Sequence, residues 1–456
     1  MNKTAMESDH QLDARRPLSR SELGWAALRY YFSGVLSGEG ALDEEIMRQA
    51  LAALTAKYPF LGAQVVLGDQ GFEFVLPAGN AEPVFTFEKG DVDAPISPEQ
   101  GSLPDGKVAG VRVISDGDRF KIVFIGHHAG ADARLVMQYG FELFAYYTGL
   151  SLGSGFEGGS FHGLPSSPEL VLEEYGVPAL DPSEYFRRSY GEQVAEQILS
   201  NPAEPKQPPA PAVEDSNAED SGSPRLVSSS LHLSEEQTRA VKDAAKRAGV
   251  TVHAVVCAAA VLAEFLLDES SARRFVVLRT AVDARGRTVP PIGNPASVTN
   301  FAGASIALFA ARRDDDPTVW AEHVLKQVNS DTEHGMVPVS VRLLPELLGT
   351  LQRMRLEDGS ELCRISISNV GVMPTLPAPE GLRLTTLDAH MEADPIPGLI
   401  PRSGRTSGSE RNYGVMTYAG RLRMRLFLLD RPQSEVDQVI EALGRAFAIV
   451  SGAVER

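Results

Sequence analysis

The chain has 456 residues, of which 43% are hydrophobic, and its 43 basic and 60 acidic side chains give a formal net charge of −17. This length and apolar content predict a globular protein with two domain-sized units or one large two-lobed fold. The deficit of positive charge argues against a nucleic-acid-binding protein and against a protein that binds anionic membranes. With only two Cys, no signal-peptide core and no apolar run of roughly 18 residues, a cytoplasmic protein without a transmembrane segment is expected.

The first half of the chain predicts a mixture of helices and strands. Residues 41–57 place apolar side chains on one helical face, and Tyr58 and Pro59 end that pattern. Residues 108–126 are typical of a β-hairpin, because two β-rich segments flank an Asp-Gly-Asp turn. Residues 132–148 then predict a second helix.

A linker or crossover is predicted at residues 201–224, which contain six Pro and several acidic residues. The chain is therefore divided into an N-terminal lobe (1–200), a linker (201–225) and a C-terminal lobe (226–456). The charge divides at the same place: residues 1–225 carry a net −16 and residues 226–456 a net −1, with 23 Arg among the 26 basic residues of the second part.

The second half repeats the mixture of element types. Ser234 and Gln237 have the spacing of a capping box, and Gly249 marks the end of that helix. Further predicted elements are a nearly all-apolar helix at 251–267, strands at 275–282 and 364–367, and a helix at 434–450. Mixed elements in both halves predict an α/β fold with two lobes of similar construction.

One segment combines chemistry with a favourable position: KIVFIGHHAGADARLVMQ, residues 121–138. A strand brings His127 and His128 to its end, and a small-residue turn leads to Asp132 at a helix start. A histidine held there can take a proton from a nucleophile, since its ordinary pKa lies near 6.5. A metal site is weaker, because adjacent His side chains do not easily converge on one ion. Two histidines satisfied by local hydrogen bonds explain the spacing equally well.

Two other segments are similar to known motifs only by letter. Residues 101–108 resemble a phosphate-binding loop, but Val108 stands where a Ser or Thr is required. Residues 153–158 fit GxGxxG by letter, yet they follow a helix instead of a strand. Cys257 and Cys363 lie in apolar segments and are interpreted as core residues.

The segment HHAGADA resembles the HHxxxDG signature of the superfamily of condensation domains and acyltransferases, whose two lobes each resemble chloramphenicol acetyltransferase. Within it, the chain is most similar to free-standing polyketide-associated acyltransferases of the phthiocerol dimycocerosyl transferase type. The resemblance covers most of the chain, because further family-like segments occur in the right order. They are KYPFL (57–61), GVTVHAVVCAAAVLAEFLL (249–267), AVDARGRTVPP (281–291), SISNVG (366–371) and TYAGRLRMRL (417–426).

The resemblance implies roles at the matched positions. His128 would be the general base in an active-site tunnel between the lobes, Asp132 would hold the turn through an ion pair, and His127 would pack nearby. Arg285 would support the site from the second lobe as a substrate-binding residue. Ser368 and Asn369 would line the tunnel.

Two departures from the family pattern bear on these roles. Ala133 replaces the last Gly of the signature, which is acceptable if this position is helical. Gly62 stands where condensation domains usually carry an Arg, which leaves three candidates for the partner of Asp132: Arg16, Arg279 and Arg285.

The activity implied is acyl transfer from a coenzyme A or acyl-carrier-protein thioester to a small-molecule alcohol, in specialised metabolism or complex lipid assembly. An acyl carrier protein or a polyketide synthase is the expected protein partner, and no bound cofactor or metal is implied. Two alternatives stay open: amide formation with an amine acceptor, and a catalytically silent relative that binds a carrier protein. Because the donor is anionic, phosphate contacts are predicted from the near-neutral second half. The candidates are Arg239, Lys242, Lys246, Arg247, Arg273 and Arg274.

Overall fold

The computed structural model describes residues 13–454, except 80, 155–160, 162, 201–224, 355–361, 395 and 397–409. The predicted linker therefore lies outside the described residues. The helices are α1 Arg20–Leu28, α2 Glu44–Lys57, α3 Pro98–Gly101, α4 Ala133–Ser151, α5 Pro168–Glu174, α6 Pro182–Tyr190, α7 Glu192–Ser200, α8 Glu235–Ala248, α9 Val252–Leu267, α10 Pro317–Glu333, α11 Met336–Arg353 and α12 Gln433–Val450. The strands are β1 Ala14–Pro17, β2 Tyr30–Glu39, β3 Gln64–Gly68, β4 Gly71–Leu76, β5 Val84–Lys89, β6 Ala109–Ser115, β7 Arg119–His127, β8 Leu226–His232, β9 Arg273–Asp283, β10 Ala302–Arg312, β11 Cys363–Val372, β12 Arg383–Ala393, β13 Arg411–Tyr418 and β14 Arg421–Leu429.

The first lobe is built on a five-stranded mixed sheet with the order β12-β2-β7-β6-β5. Helices α2 and α4 cover one face, and their apolar side chains pack with those of the strands in one core. A small sheet, β1-β4-β3, lies beside it. This arrangement places the end of β7 where the two halves of the chain meet.

The second lobe is built on a six-stranded mixed sheet with the order β10-β9-β11-β13-β14-β8. Its largest core lies on the face that packs against α9, α10 and α12. Helices α6, α7 and α11 cover the other face near β9 and β10. The fold is thus α/β with two sheet-based lobes, which confirms the predicted fold class.

The lobe boundaries predicted from the sequence remain a prediction. Two segments of the chain pack with the lobe on the other side of these boundaries. Strand β12 comes from the second half, yet it pairs antiparallel with β2 along the edge of the first-lobe sheet. In the other direction, α6 and α7 pack against α11 and the second-lobe sheet. The pairing of β12 covers an edge that would otherwise expose unpaired backbone groups.

The structure confirms the predictions that rest on short-range patterns in the sequence. Ser234 and Gln237 form the predicted capping box, and Gly249 ends α8 in the left-handed conformation. The hairpin forms from β6 and β7. Strand β11 is longer than the four residues predicted, because it pairs on both sides, with β9 and with β13.

Among the described residues, no single helix combines the length and the apolar character needed to cross a membrane. Helices α8 and α9 meet those criteria only as a pair, which is bent by 103°.

Candidate active site

The turn after β7 carries the predicted catalytic histidine and is closed by backbone hydrogen bonds. The amides of Gly130 and Ala131 both donate to the His127 carbonyl, at 2.9 and 3.2 Å. A Cβ at Gly130 would lie 2.8 Å from the ring of the buried Phe60, so a larger residue there would require that ring to move. The chain then enters α4, where Asp132 caps the helix by accepting from the Leu135 amide at 3.0 Å.

One ring nitrogen of His128, Nδ1, is hydrogen-bonded to the backbone, and the other, Nε2, is available to accept a proton. Its Nδ1 lies 3.0 Å from the Ala131 carbonyl oxygen. A carbonyl only accepts, so Nδ1 carries the hydrogen and Nε2 carries the lone pair of the neutral ring. Among the described residues no hydrogen bond involves Nε2, which is therefore the atom that can accept a proton.

Two residues that the sequence analysis missed complete the surroundings of His128. The Asn300 side-chain amide donates to the His128 carbonyl at 2.7 Å and lies 3.2 Å from Nδ1. The indole of Trp25 stacks on the imidazole, with ring centroids 4.3 Å apart and planes 19° apart. For Asn300, a polar residue directly before an apolar strand was an available signal. For Trp25, no local pattern pointed to the site.

The partner of Asp132 is Arg285, so the choice among three arginines is decided. The Arg285 Nη2 lies 2.8 Å from Asp132 Oδ2, and the backbone amide of Phe301 donates to the same oxygen at 3.0 Å. Arg16 instead pairs with Glu22 at 2.8 Å, and Arg279 lies 3.7 Å from Glu410.

Arg285 joins the two halves of the chain. It also donates to Asp283 at 3.1 Å, to the Ser297 carbonyl at 2.8 Å and to the Thr299 carbonyl. The resemblance implied that Arg285 binds substrate. In the structure its N–H groups instead bond to these protein groups. It supports the His128 turn through Asp132.

The surroundings of Asp132 and His128 lower the pKa of both groups, but for different reasons. Burial alone would raise the pKa of Asp132, but the Arg285 guanidinium and two backbone amides outweigh it, and the pKa lies below its usual range. Burial lowers the pKa of His128, and the Asp132 carboxylate and the bond to Ala131 partly oppose this effect. His128 is therefore neutral at pH 7, as a general base must be.

His127 lies on the other side of the strand and is fully buried. Its Nδ1 accepts from the Ala129 amide at 3.1 Å, and its ring packs edge-on against Tyr31. Burial, with a smaller contribution from His128, lowers the pKa of His127 to about 3. His127 thus packs under the turn and stays neutral.

Ser368 and Asn369 point to opposite faces of β11, because successive strand residues alternate. Asn369 faces α9, where its amide lies 3.4 Å from Nδ1 of His253. Ser368 is in register with Ala281 of β9, and both share a face with Arg279, whose charge acts on His128. Of the two, Ser368 has the better position for a substrate contact.

Two of the predicted donor-phosphate residues, Arg273 and Arg274, lie at the opposite end of β9 from the His128 turn. Arg273 opens β9, whose far end is Asp283 beside Arg285. Ten residues of strand separate them, or roughly 33 Å. Arg274 is bound to Asp268 at 2.9 Å. The remaining four, Arg239, Lys242, Lys246 and Arg247, are exposed on α8.

The two departures from the family pattern have structural explanations. Ala133 is the first residue of α4, so its helical backbone needs no glycine. A Cβ at Gly62 would overlap the Ala81 carbonyl, which leaves no room for an arginine there. The cation for Asp132 therefore comes from the second half of the chain.

No cluster of three or more His, Cys, Asp or Glu side chains in the described part of the chain is arranged to hold a metal ion. Cys257 and Cys363 are buried and unpaired, and burial raises the pKa of both thiols. Neither thiol has the properties of a nucleophile.

Comparisons with known proteins agree with this architecture. Residues 222–427 match the family model described as the C-terminus of phthiocerol/phthiodiolone dimycocerosyl transferase. A search of the curated proteins by sequence finds no match.

Solved structures similar to the chain cover almost all of it. Polyketide synthase associated protein 5 from Mycobacterium tuberculosis is 19% identical, with a TM-score of 0.71 over 96% of this chain and 99% of that one. The first condensation domain of the calcium-dependent antibiotic synthetase is 16% identical, with a TM-score of 0.64 over 96% and 97%. The trichothecene 15-O-acetyltransferase TRI3 from Fusarium sporotrichioides is 12% identical, with a TM-score of 0.63 over 96% of both chains.

Proposed function

We propose that the chain is a member of the superfamily of condensation domains and related acyltransferases, which its fold and the family match over residues 222–427 support, and that it transfers an acyl group from a thioester to an alcohol. The donor is an acyl chain on coenzyme A or on an acyl carrier protein. The product is an ester of a specialised metabolite or complex lipid.

One observation carries the proposal: His128 presents a free Nε2 at the junction of the two halves. Its Nδ1 is directed to the Ala131 carbonyl, and Asp132 and Arg285 hold the turn from behind. A neutral imidazole with a fixed tautomer is the arrangement that a general base requires.

The reaction balances with this one base. His128 Nε2 takes the hydroxyl proton of the acceptor as its oxygen attacks the thioester carbonyl, so that a C–O bond forms. The C–S bond then breaks, and the leaving thiolate takes the proton back from the imidazolium. The products are an ester and a free thiol, and the base returns to its starting state.

The partners follow from the same proposal. The acceptor is a small-molecule alcohol, and a polyketide synthase or its carrier protein delivers the donor. Two relatives of similar fold are named for such systems, as a protein associated with polyketide synthase and as the condensation domain of the Monacolin K polyketide synthase. The predicted tunnel between the lobes is where we place the two substrates.

The test is the release of free thiol from an acyl-coenzyme A or an acyl carrier protein in the presence of an alcohol. His128→Ala is expected to lower the rate by roughly 10²–10⁴-fold, because proton transfer by a positioned base contributes that much. The melting temperature should stay near that of the unchanged protein, since the Asp132–Arg285 pair is intact.

His334→Ala is the matched control, because His334 is exposed at the end of α10 and lies outside the site. Near-normal thiol release by His128→Ala would overturn the role of the base. An amine accepted in place of the alcohol, with an alkali-stable amide as product, would identify a condensation enzyme instead. Carrier-protein binding without turnover would identify a silent relative.

A further inference from the structure

The acyl-transfer scheme assigns no role to the stacking of Trp25 on His128. The ring centroids are 4.3 Å apart and the planes 19° apart, so the indole covers one face of the imidazole. Trp25 also meets Tyr30 edge-on at 5.7 Å, and it packs on the apolar cluster that contains Ala129 of the turn.

The helix that carries Trp25 is anchored at both ends. Ser19 and Glu22 form a capping box at its start, and Glu22 is buried and bound by two Arg16 nitrogens at 2.8 and 2.9 Å. Arg29 ends the helix in the left-handed conformation. The indole is therefore held in place before any substrate arrives.

The same helix is fastened to segments that pack against the second lobe. Arg20 lies 2.5 Å from Glu346 of α11, and the Ser21 amide donates to Glu169 of α5 at 2.8 Å. Trp25 thus reaches His128 from a support that spans both halves of the molecule.

We propose that Trp25 is a positioning residue for the base: its indole holds the imidazole with Nε2 free, and its π face stabilises the imidazolium that forms during transfer. An indole is the strongest aromatic partner for a cation on its face. Among the described residues, the polar contacts of the ring lie at its edge, with the Ala131 carbonyl and the Asn300 amide. This role rests on the proposed function, but the stacking has consequences that need no substrate.

The charged and titratable groups around His128 act in both directions. Asp132 at the start of α4 favours the imidazolium, with Arg285 behind it, whereas Arg279 on β9 disfavours it. His127, its neighbour in the chain, stays neutral. Against burial, which also disfavours the charged ring, the indole is a favourable contact that does not depend on another ionisable group.

The experiment follows the ring proton of His128 by NMR from pH 4 to 8 in buffer alone, with the resonance assigned by its loss in His128→Gln. In Trp25→Leu the midpoint is expected to fall by about half a pH unit or more, since a cation–π contact contributes about 0.5–1 kcal/mol or more. Trp25→Phe keeps an aromatic face and should recover part of that shift. Trp320→Phe, at the other tryptophan, is the matched control and should leave the midpoint unchanged.

An unchanged midpoint in Trp25→Leu would overturn the proposal, and so would an equal shift in Trp25→Phe, because a filler of space needs no π face. In the thiol-release assay, kcat of Trp25→Leu should fall about three- to thirtyfold with KM little changed. The two proposals fail separately: a protein without turnover, but with the NMR shift, would refute acyl transfer and keep the stacked imidazole.

Discussion

Two buried aspartates, one in each lobe, have opposite electrostatic environments. Asp132 is 5% exposed and lies 2.8 Å from the Arg285 guanidinium. Asp331 in α10 is fully buried and accepts from the Ser305 hydroxyl at 2.6 Å and from the Gln327 amide at 3.0 Å. No cation pairs with Asp331 among the described residues.

The difference shifts the pKa values of the two carboxyl groups in opposite directions. The pKa of Asp132 lies below its usual range, because the positive charge of Arg285 outweighs burial. Burial raises the pKa of Asp331, and its neutral hydrogen-bond donors only partly offset that effect. The ionised form is thus stabilised where the turn of His128 has to be fixed, whereas burial disfavours the ionised form of the carboxyl group in α10.

Arg285→Ala should have the largest effect on stability, because it removes the difference in charge pairing between Asp132 and Asp331. It leaves the Asp132 carboxylate buried without a cation, which typically costs about 3–5 kcal/mol of stability. We also expect thiol release to fall, because the turn that holds His128 loses its support. Urea unfolding at pH 7 measures the first effect, and Arg285→Lys should lose less because it keeps the charge. A change below about 1 kcal/mol in Arg285→Ala would mean that Asp132 does not depend on this pair.

Asp132→Asn should have a smaller effect, because Arg285 retains its bond to Asp283. We expect a loss of about 1–3 kcal/mol at pH 7, as is typical when a buried charged hydrogen bond is removed. The folded-state pKa of Asp132 is depressed, so its contribution is present above the unfolded pKa and is lost as the pH falls through the folded value. The stability gap between the two proteins should therefore close on acidification, and a gap that is constant from pH 7 to 3 would contradict this.

Asp331→Asn should have the smallest effect and the opposite dependence on pH. The amide needs no charge to be buried, so the stability at pH 7 should change by no more than about 1 kcal/mol and should not fall sharply. Because the pKa of Asp331 is raised, the unchanged protein should gain stability relative to the variant as the pH falls through that value. Urea unfolding from pH 7 to 4 checks the sign. A large loss at pH 7 that disappears in acid would reveal a cation at Asp331.

Much of the candidate site was predictable, because its first part is local. The hairpin β6–β7, the His pair at its end and the cap at Asp132 all follow from short-range patterns. The role of His128 came from a resemblance in the signature, and its free Nε2 is a geometric observation. Its assignment as the base stays a prediction until the variant is measured.

The rest depends on residues far apart in the chain. Arg285 lies about 150 positions after Asp132, and three arginines fitted the sequence equally well. Trp25 and Asn300 reach His128 from opposite directions along the chain, and neither carries a recognisable motif. Likewise, no sequence pattern assigned β12 to the first-lobe sheet.

The amino-acid sequence by itself determined where several helices and strands form, the charge asymmetry between the halves and the turn at a strand end that presents two histidines. These depend on side chains bonding to their own neighbourhood, within a few residues. Only the tertiary structure decided which arginine neutralises Asp132, which indole covers His128 and which buried aspartate has no cation beside it in the described part of the chain. The physical reason is that solvation and charge pairing depend on distances in space, and these are set when the two sheets pack together.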